Sequence, residues 1–207
     1  MISMYIGSGD VSSLLSGINT KGYLELWQRF MSGTKPYYNS YNSPIDALRT
    51  GKILEDRYFL TLPDDYYEQY VETCKELDVL KSSIDFARLS NGQIIDFDEL
   101  KTCELNDFLL IQNAKERNDL EYIKKTYKIN YNQVQFQLLC TGLKKANLVF
   151  LSVYSYNDEE NYGREVKENE TVKFKIQRDE KVIDFIKDRA KIFQTVKDYF
   201  KNNENGK

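Results

Sequence analysis

The chain has 207 residues, 41% hydrophobic and 29% charged, which suits one globular domain with a single core. A net charge of −3 and a pI near 5.3 argue against a surface that is basic all over and leave room for a local basic groove. There is no histidine, so His-based triads, imidazole-held zinc and a histidine general base are excluded; any metal must take oxygen ligands, which favours Mg²⁺, with Mn²⁺ as the alternative.

Residues 7–17 predict a short helix, capped by Ser8 or Asp10 and ended by Gly17. A second helix is expected over 20–32, with Tyr23, Leu26, Trp27 and Phe30 on one face and Gly33 at its stop. Residues 34–42 read as a loop around Pro36. A third helix opens at Ser43-Pro44-Ile45-Asp46 and runs to about Leu60, with Ala47, Leu48, Leu54 and Tyr58 in its apolar stripe. Residues 66–74 alternate as a strand.

Residues 79–103 then predict a hairpin, because Asn91-Gly92 between two apolar-rich runs is the turn that tolerates positive φ at both positions. A two-residue turn pairs Ser90 with Gln93, sets Asp85 opposite Asp98 and leaves it diagonal to Glu99. Alternation puts Ile95, Phe97, Glu99 and Lys101 on one face. Helical stretches follow at 106–116, 119–126 and 130–142. The near-continuous apolar run at 146–154 predicts a strand buried on both faces. An acidic loop at 157–170, a strand at 171–177 and a last helix from Asp179 complete the chain. That helix carries a stripe of Ile183, Ile186, Ala190, Phe193, Val196 and Phe200, and its polar tail at 201–207 is expected to fray.

No apolar run reaches the roughly 18 residues of a membrane span, and the first residues lack the basic start and apolar core of a signal peptide. Cys74, Cys103 and Cys140 show no CxxC spacing and read as reduced, mostly buried thiols of a cytoplasmic protein.

Chemistry-bearing residues gather at the hairpin. A carboxylate two residues before a lysine occurs three times, at Glu99-Leu-Lys101, Glu165-Val-Lys167 and Asp179-Glu-Lys181. Only the first lies on a predicted strand, with Asp85 on the hairpin partner and Glu55 on an upstream helix. Carboxylates can hold Mg²⁺ against a scissile phosphate, and a lysine can position water and offset developing charge. The plain alternative is an exposed cross-strand ion pair, which contributes little to stability. Gln133 is either a solvated residue or turned toward this site. Lys115, Arg117, Lys124, Lys125, Lys128, Lys144 and Lys145 make the middle third basic. They form either a nucleic-acid surface or a solvated helix face.

These residues, taken in order, resemble the phage-type recombination exonucleases, the lambda exonuclease and YqaJ-like branch of the PD-(D/E)xK nucleases. Ile6-Gly-Ser-Gly-Asp-Val-Ser-Ser-Leu-Leu15 and Leu26-Trp27 are similar to the family's opening. Gly51-Lys-Ile-Leu-Glu55 is similar to its Gly-x-x-x-Glu helix, and Ile84-Asp85-Phe86 to its aspartate strand. Glu99-Leu-Lys101 resembles its Glu-x-Lys strand, Tyr131-Asn-Gln133-Val-Gln135 its glutamine helix, and Arg178-Asp-Glu-Lys181 the approach to its last helix.

The resemblance implies a single α/β domain over 1–207, with a central mixed sheet flanked by helices and a restriction-endonuclease-like core. Its parts would be N-terminal helices at 1–60, a catalytic core at 66–154 and a closing strand and helix at 171–203. Asp85 and Glu99 would be metal ligands, Glu55 an outer carboxylate, Lys101 the water-orienting lysine and Gln133 a supporting residue. DNA contacts would fall at Ser8, Lys115, Lys124 and Lys125.

The implied activity is Mg²⁺-dependent digestion of linear double-stranded DNA from 5′ ends, leaving 3′ single strands for recombination in a bacterial host. A single-strand annealing protein is the implied partner, and a ring-shaped homotrimer is compatible with it. The alternatives are an endonuclease or RecB-like nuclease of the same superfamily, or a non-catalytic DNA-binding protein keeping the fold. An iron–sulfur version would need four suitably placed cysteines. Two departures stand out. No arginine precedes Gly7, where the family grips the 5′ phosphate, and the hairpin between Asp85 and Glu99 is longer than the family's.

Overall fold

Capping residues legible in the sequence mark many of the element boundaries. The computed structural model describes residues 4–34, 45–153 and 164–204. The chain enters through β1 (Ile6–Gly7), a 3₁₀ turn at Ser8–Asp10, and α1 (Val11–Leu15). Asp10 accepts the Gly7 amide at 3.1 Å, but the expected single helix over 7–17 is this turn plus α1, which ends before Gly17. Thr20 caps α2 (Lys21–Ser32) by accepting the Tyr23 amide, and Gly33 ends it in the left-handed region. The third helix, α3, spans Ile45–Phe59; its expected cap at Ser43-Pro44 and most of the 34–42 loop lie outside the described residues.

The order continues with β2 (Tyr66–Thr73), β3 (Leu80–Ser90), β4 (Gln93–Glu104), α4 (Leu105–Glu116), α5 (Leu120–Thr126) and α6 (Lys128–Thr141). It closes with β5 (Lys145–Val153), β6 (Thr171–Gln177) and α7 (Glu180–Glu204). Residues 154–163, which hold the first part of the expected acidic loop, lie outside the described residues, as do 205–207 of the tail.

One mixed sheet organises these elements in the order β1-β3-β4-β5-β6, with β2 also paired to β3. The β3–β4 hairpin closes on Ser90 and Gln93 through Asn91 and Gly92, whose φ angles are 50° and 74°. The expected register then fails by one residue. A bulge between Arg88 and Leu89 brings Phe86, and not Asp85, opposite Asp98. Ile95 of β4 is the extra residue, with no partner between the Arg88–Asp96 and Leu89–Ile94 pairs. The extra residue moves the next side chains along the strand. β4 and β5 run parallel, and β5 is buried at every position after Lys145, as its apolar run predicts.

Helices cover both faces. On one side α4, α5 and α6 pack Phe108, Ile111, Ile123, Val134 and Leu138 against Phe97, Leu148, Phe150 and Phe174. The opposite side of α6 meets α1, α2 and α7 through Phe136, Leu139 and Cys140. Phe193 of α7 stacks on Trp27 at 4.1 Å between ring centroids. A helix buried on two sides must be apolar around most of its circumference, and α6 is buried at nearly every position from Tyr131 to Cys140. On the other face of the sheet α3 packs Leu54 and Tyr58 against Phe86, Leu100 and Val149. Two expected stripes are shorter than predicted, since Leu48 is 53% exposed and Phe200 40% exposed. Among the described residues no helix is long and apolar enough to cross a membrane.

Candidate active site

The site forms where the sheet opens. Lys81 pairs with Thr73 of β2 and Gly7 of β1, while Phe86 pairs with Glu68 of β2 and Asp98 of β4. A strand has two edges, so β1 and β4 share the edge of β3 that faces away from β2. Between them, at 82–85, that edge has no strand partner among the described residues. Backbone polar groups freed there need other partners. The Ser83 carbonyl accepts from Gln137 Nε2 at 3.0 Å and from Ser8 Oγ at 3.3 Å. Asp85 Oδ2 accepts the Leu100 amide at 2.9 Å, just past the end of the β3–β4 ladder.

Glu99 lies at the centre of this notch and is fully buried. Lys101 Nζ, 2.6 Å away, donates to its Oε1, and Gln137 Nε2 donates to its Oε2. The far oxygen of Gln137 is buried and has no hydrogen-bond partner. Glu55 faces the same cluster from α3, held by Lys52 at 3.5 Å. The helix passes close to β4 here, since a Cβ placed on Gly51 would lie 3.9 Å from Thr102 Oγ1.

The charges act on one another. Burial, then the Glu99 charge, push the Asp85 carboxyl well above its ordinary range; Lys101 and the Leu100 amide oppose them only in part. Burial also raises Glu55, against the pull of Lys52 and Lys101. Burial works against the Lys101 ammonium, but Glu99 and Asp85 together outweigh it and hold its pKa above the ordinary lysine value. Lys101 is therefore shared by Asp85, Glu99 and Glu55, with Lys52 as a second ammonium on Glu55, and Lys101 keeps its proton.

Among the described residues no three His, Cys, Asp or Glu side chains converge on one point. The donor set still fits a hard divalent cation. It is oxygen-only, and Asp85 and Glu99 lie near enough for the Glu99 charge to raise the Asp85 pKa, the mutual repulsion that a bound cation would relieve.

No family model and no curated protein matches the chain. Solved structures do. An alkaline exonuclease (LHK-Exo) from Laribacter hongkongensis superposes with a TM-score of 0.60 at 15% identity, covering 99% of this chain and 95% of that one. The same enzyme in complex with dAMP gives 0.59 at 17% identity over 99% and 95%. A phage-related exonuclease from Haemophilus somnus 129PT gives 0.61 at 12% identity over 97% and 96%. The chain shares the fold of these exonucleases over nearly its whole length.

Within this fold, Asp85, Glu99 and Lys101 lie together at the notch and Glu55 faces them from α3. Gln133 is half-buried on α6, one turn before the glutamine that reaches Glu99, which is Gln137. Ser8 is buried beside the notch through its bond to Ser83. The basic residues sit apart from the cluster. Lys115 lies over the Phe174 ring, Lys124 pairs with Glu121 at 3.0 Å and lies over Tyr131, and Lys125 is exposed at the end of α5.

Asp98, adjacent to the site in sequence, faces the other way. It is fully buried and accepts from Tyr58 Oη (2.7 Å), Asn147 Nδ2 (2.8 Å) and Lys173 Nζ (2.7 Å).

Proposed function

We propose that the chain is a metal-dependent deoxyribonuclease that degrades linear double-stranded DNA from its ends. The observation that carries this reading is that Asp85, Glu99 and Lys101 lie together at the break in the β3 edge with Glu55 facing them from α3, in a fold whose likeness to exonucleases spans nearly the whole chain. Asp85 and Glu99 would hold Mg²⁺ or Mn²⁺, with Glu55 as an outer carboxylate. When bound, such a cation supplies Lewis-acid polarisation of a phosphate and a water acidic enough to attack it. Lys101, held protonated by Glu99 and Asp85, offsets charge building on the phosphate and does not act as a base. Gln137 and Lys101 between them fix both oxygens of Glu99, so its orientation is set before substrate arrives.

The decisive assay gives the protein linear and covalently closed circular duplex DNA with Mg²⁺, with Mn²⁺ and with EDTA. Loss of linear DNA alone, stopped by EDTA, is the expected result. Cleavage of closed circles would replace this reading with an endonuclease. Salt-sensitive binding with no cleavage under either cation would replace it with a DNA-binding protein. Gln137→Ala is expected to slow cleavage by about tenfold, the loss of one hydrogen bond to a charged group, while Gln133→Ala changes it little.

A second feature supports attack from a 5′ end. A cavity of about 300 Å³ opens beside the Gly7-Ser8-Gly9 turn and is also lined by Lys81 and Ser82. The Ser82 hydroxyl is buried without a partner, and Lys81 lies over the Tyr5 ring at 5.2 Å. A lysine, hydroxyls and the amides of a turn suit a terminal phosphate, in place of the arginine absent before Gly7. Lys81→Ala is expected to weaken the preference for 5′-phosphorylated over 5′-hydroxyl ends by about tenfold, read from paired substrates. Equal loss on both ends would remove the polarity assignment. The resulting 3′ overhangs are what a single-strand annealing protein would take up, so that class of protein is the implied partner.

A further inference from the structure

The catalytic notch has two walls, because β3 and β4 stop pairing beyond Phe86 and Asp98. The cavity beside Gly7-Ser8-Gly9 lies on the β3 wall, at Lys81 and Ser82. A second cavity, of about 280 Å³, lies on the β4 wall, from Lys101 to Glu104. Lys101 lines it and also holds Glu99 at 2.6 Å, so this cavity adjoins the notch. Cys103 and Phe150 are buried and give it an apolar floor. Tyr127 lies beside that floor, with its ring 4.9 Å from that of Phe150, so one wall is a fixed aromatic ring. The remaining wall is polar: Glu104, Asp107 in the first turn of α4, and Asn130 in the first turn of α6. Among the described residues the side chains of Glu104, Asp107 and Asn130 have no hydrogen-bond or ion-pair partner.

We propose that this cavity is a nucleobase pocket for the nucleotide on the 3′ side of the scissile phosphate, selecting guanine over thymine, a reading that rests on the nuclease activity proposed above. Size is the first argument. The volume is near the lower limit for small-ligand sites, which suits one base and not a whole nucleotide. Charge is the second. Two carboxylates line the cavity against one ammonium that Glu99 already engages, so a phosphate is repelled from the interior and stays at Lys101. A flat, uncharged base meets no such penalty, and the Tyr127 ring and the Phe150 floor give it apolar surface. Hydrogen bonding sets the choice among bases. The guanine edge offers two neighbouring N–H groups, which match a carboxylate in bidentate fashion. The single N–H of thymine lies between two carbonyl oxygens that a carboxylate repels. Asp107 is the acceptor for this edge, and Asn130 supplies a second hydrogen-bonding group from α6. Direction follows from the two walls. With the 5′ phosphate on the β3 wall, the strand crosses Glu99 to reach β4, so the base that enters follows the bond to be cut.

The test is binding of deoxynucleoside 5′-monophosphates to the full chain, measured by calorimetry with Mg²⁺ present. Such a probe places its phosphate at Lys101 and its base in the pocket, and it needs no unpairing of a duplex. The monophosphates of guanine and thymine are compared with each other and with inorganic phosphate. The guanine nucleotide should bind about tenfold more tightly than the thymine nucleotide, the worth of one hydrogen bond to a charged group. Inorganic phosphate should bind more weakly than the guanine nucleotide. Asp107→Asn should bring the two nucleotides within about threefold of each other at an unchanged thermal midpoint, since Asp107 is exposed. Asn130→Leu, which removes the second polar group, should weaken the guanine nucleotide and serves as the test if the first variant loses stability. Equal affinity for the two nucleotides, inorganic phosphate binding as tightly as the guanine nucleotide, or an unchanged preference in Asp107→Asn would each overturn the pocket. Binding is read without cleavage, so the two readings fail separately. A chain that cuts linear DNA but binds both nucleotides alike loses only the pocket. A chain that prefers the guanine nucleotide through Asp107 but cuts nothing keeps the pocket and loses the nuclease.

Discussion

Lys101→Ala is expected to lower the single-turnover cleavage rate by about 10² to 10³, the range for removing one preorganised donor from a developing charge. Two features support so large an effect. First, Asp85 and Glu99 both act on Lys101, and their combined charge keeps it protonated despite burial. Second, its Nζ fixes one oxygen of a carboxylate that is fully buried, so its removal leaves Glu99 with Gln137 alone. Lys101→Met, which keeps the stem and loses only the charge, should show nearly the same loss. Lys101→Arg should not rescue it, because a planar guanidinium cannot take the place of a compact ammonium 2.6 Å from Glu99. All three variants should keep wild-type circular dichroism. Undiminished cleavage by the methionine variant would remove Lys101 from the mechanism.

What the sequence revealed, and what it hid, follows from the range of each interaction. The Asn91-Gly92 turn and the Ser90–Gln93 pair were legible because turn chemistry is local. The bulge close by was not, since no turn or charge pattern marks Ile95 as the β4 residue left without an opposite on β3. That one residue decides whether Asp85 or Phe86 stands opposite Asp98. The glutamines of α6 pose the same problem in another form. A helix packed on two sides carries no amphipathic stripe to fix its rotation, so spacing leaves Gln133 and Gln137 on one face without saying which reaches Glu99. Alternation did separate Glu99 from Asp98, but not what Asp98 does. Its partners come from α3, β5 and β6, and none of them is near it in sequence.

Asp98→Ala is expected to lower unfolding stability by about 2–4 kcal/mol, measured by urea denaturation, while a folded molecule keeps its cleavage rate. The carboxylate is fully buried, and its removal orphans the Tyr58 hydroxyl buried with it, while Asn147 Nδ2 loses one acceptor and keeps the Phe97 carbonyl and the Asp96 carboxylate. Lys173 costs less to strand, since its side chain is 43% exposed and water can replace the lost partner. Burial first, and then the Asp98 charge, hold the Tyr58 phenol far above its ordinary pKa, so it remains a donor at any working pH. Asp98→Asn keeps an acceptor and most of the volume and should cost less than alanine. Tyr58→Phe removes one donor and should be less than additive with Asp98→Ala, because the hydroxyl that the aspartate leaves unpaired is then absent. These variants also separate the two faces of β4. Glu99 and Lys101 reach the open edge of β3 and α6, whereas Asp98 ties α3, β5 and β6 together behind them. If Asp98→Asn kept its stability and lost cleavage, Asp98 would belong to the site, and the alternation that sets Glu99 apart from it would have to be abandoned.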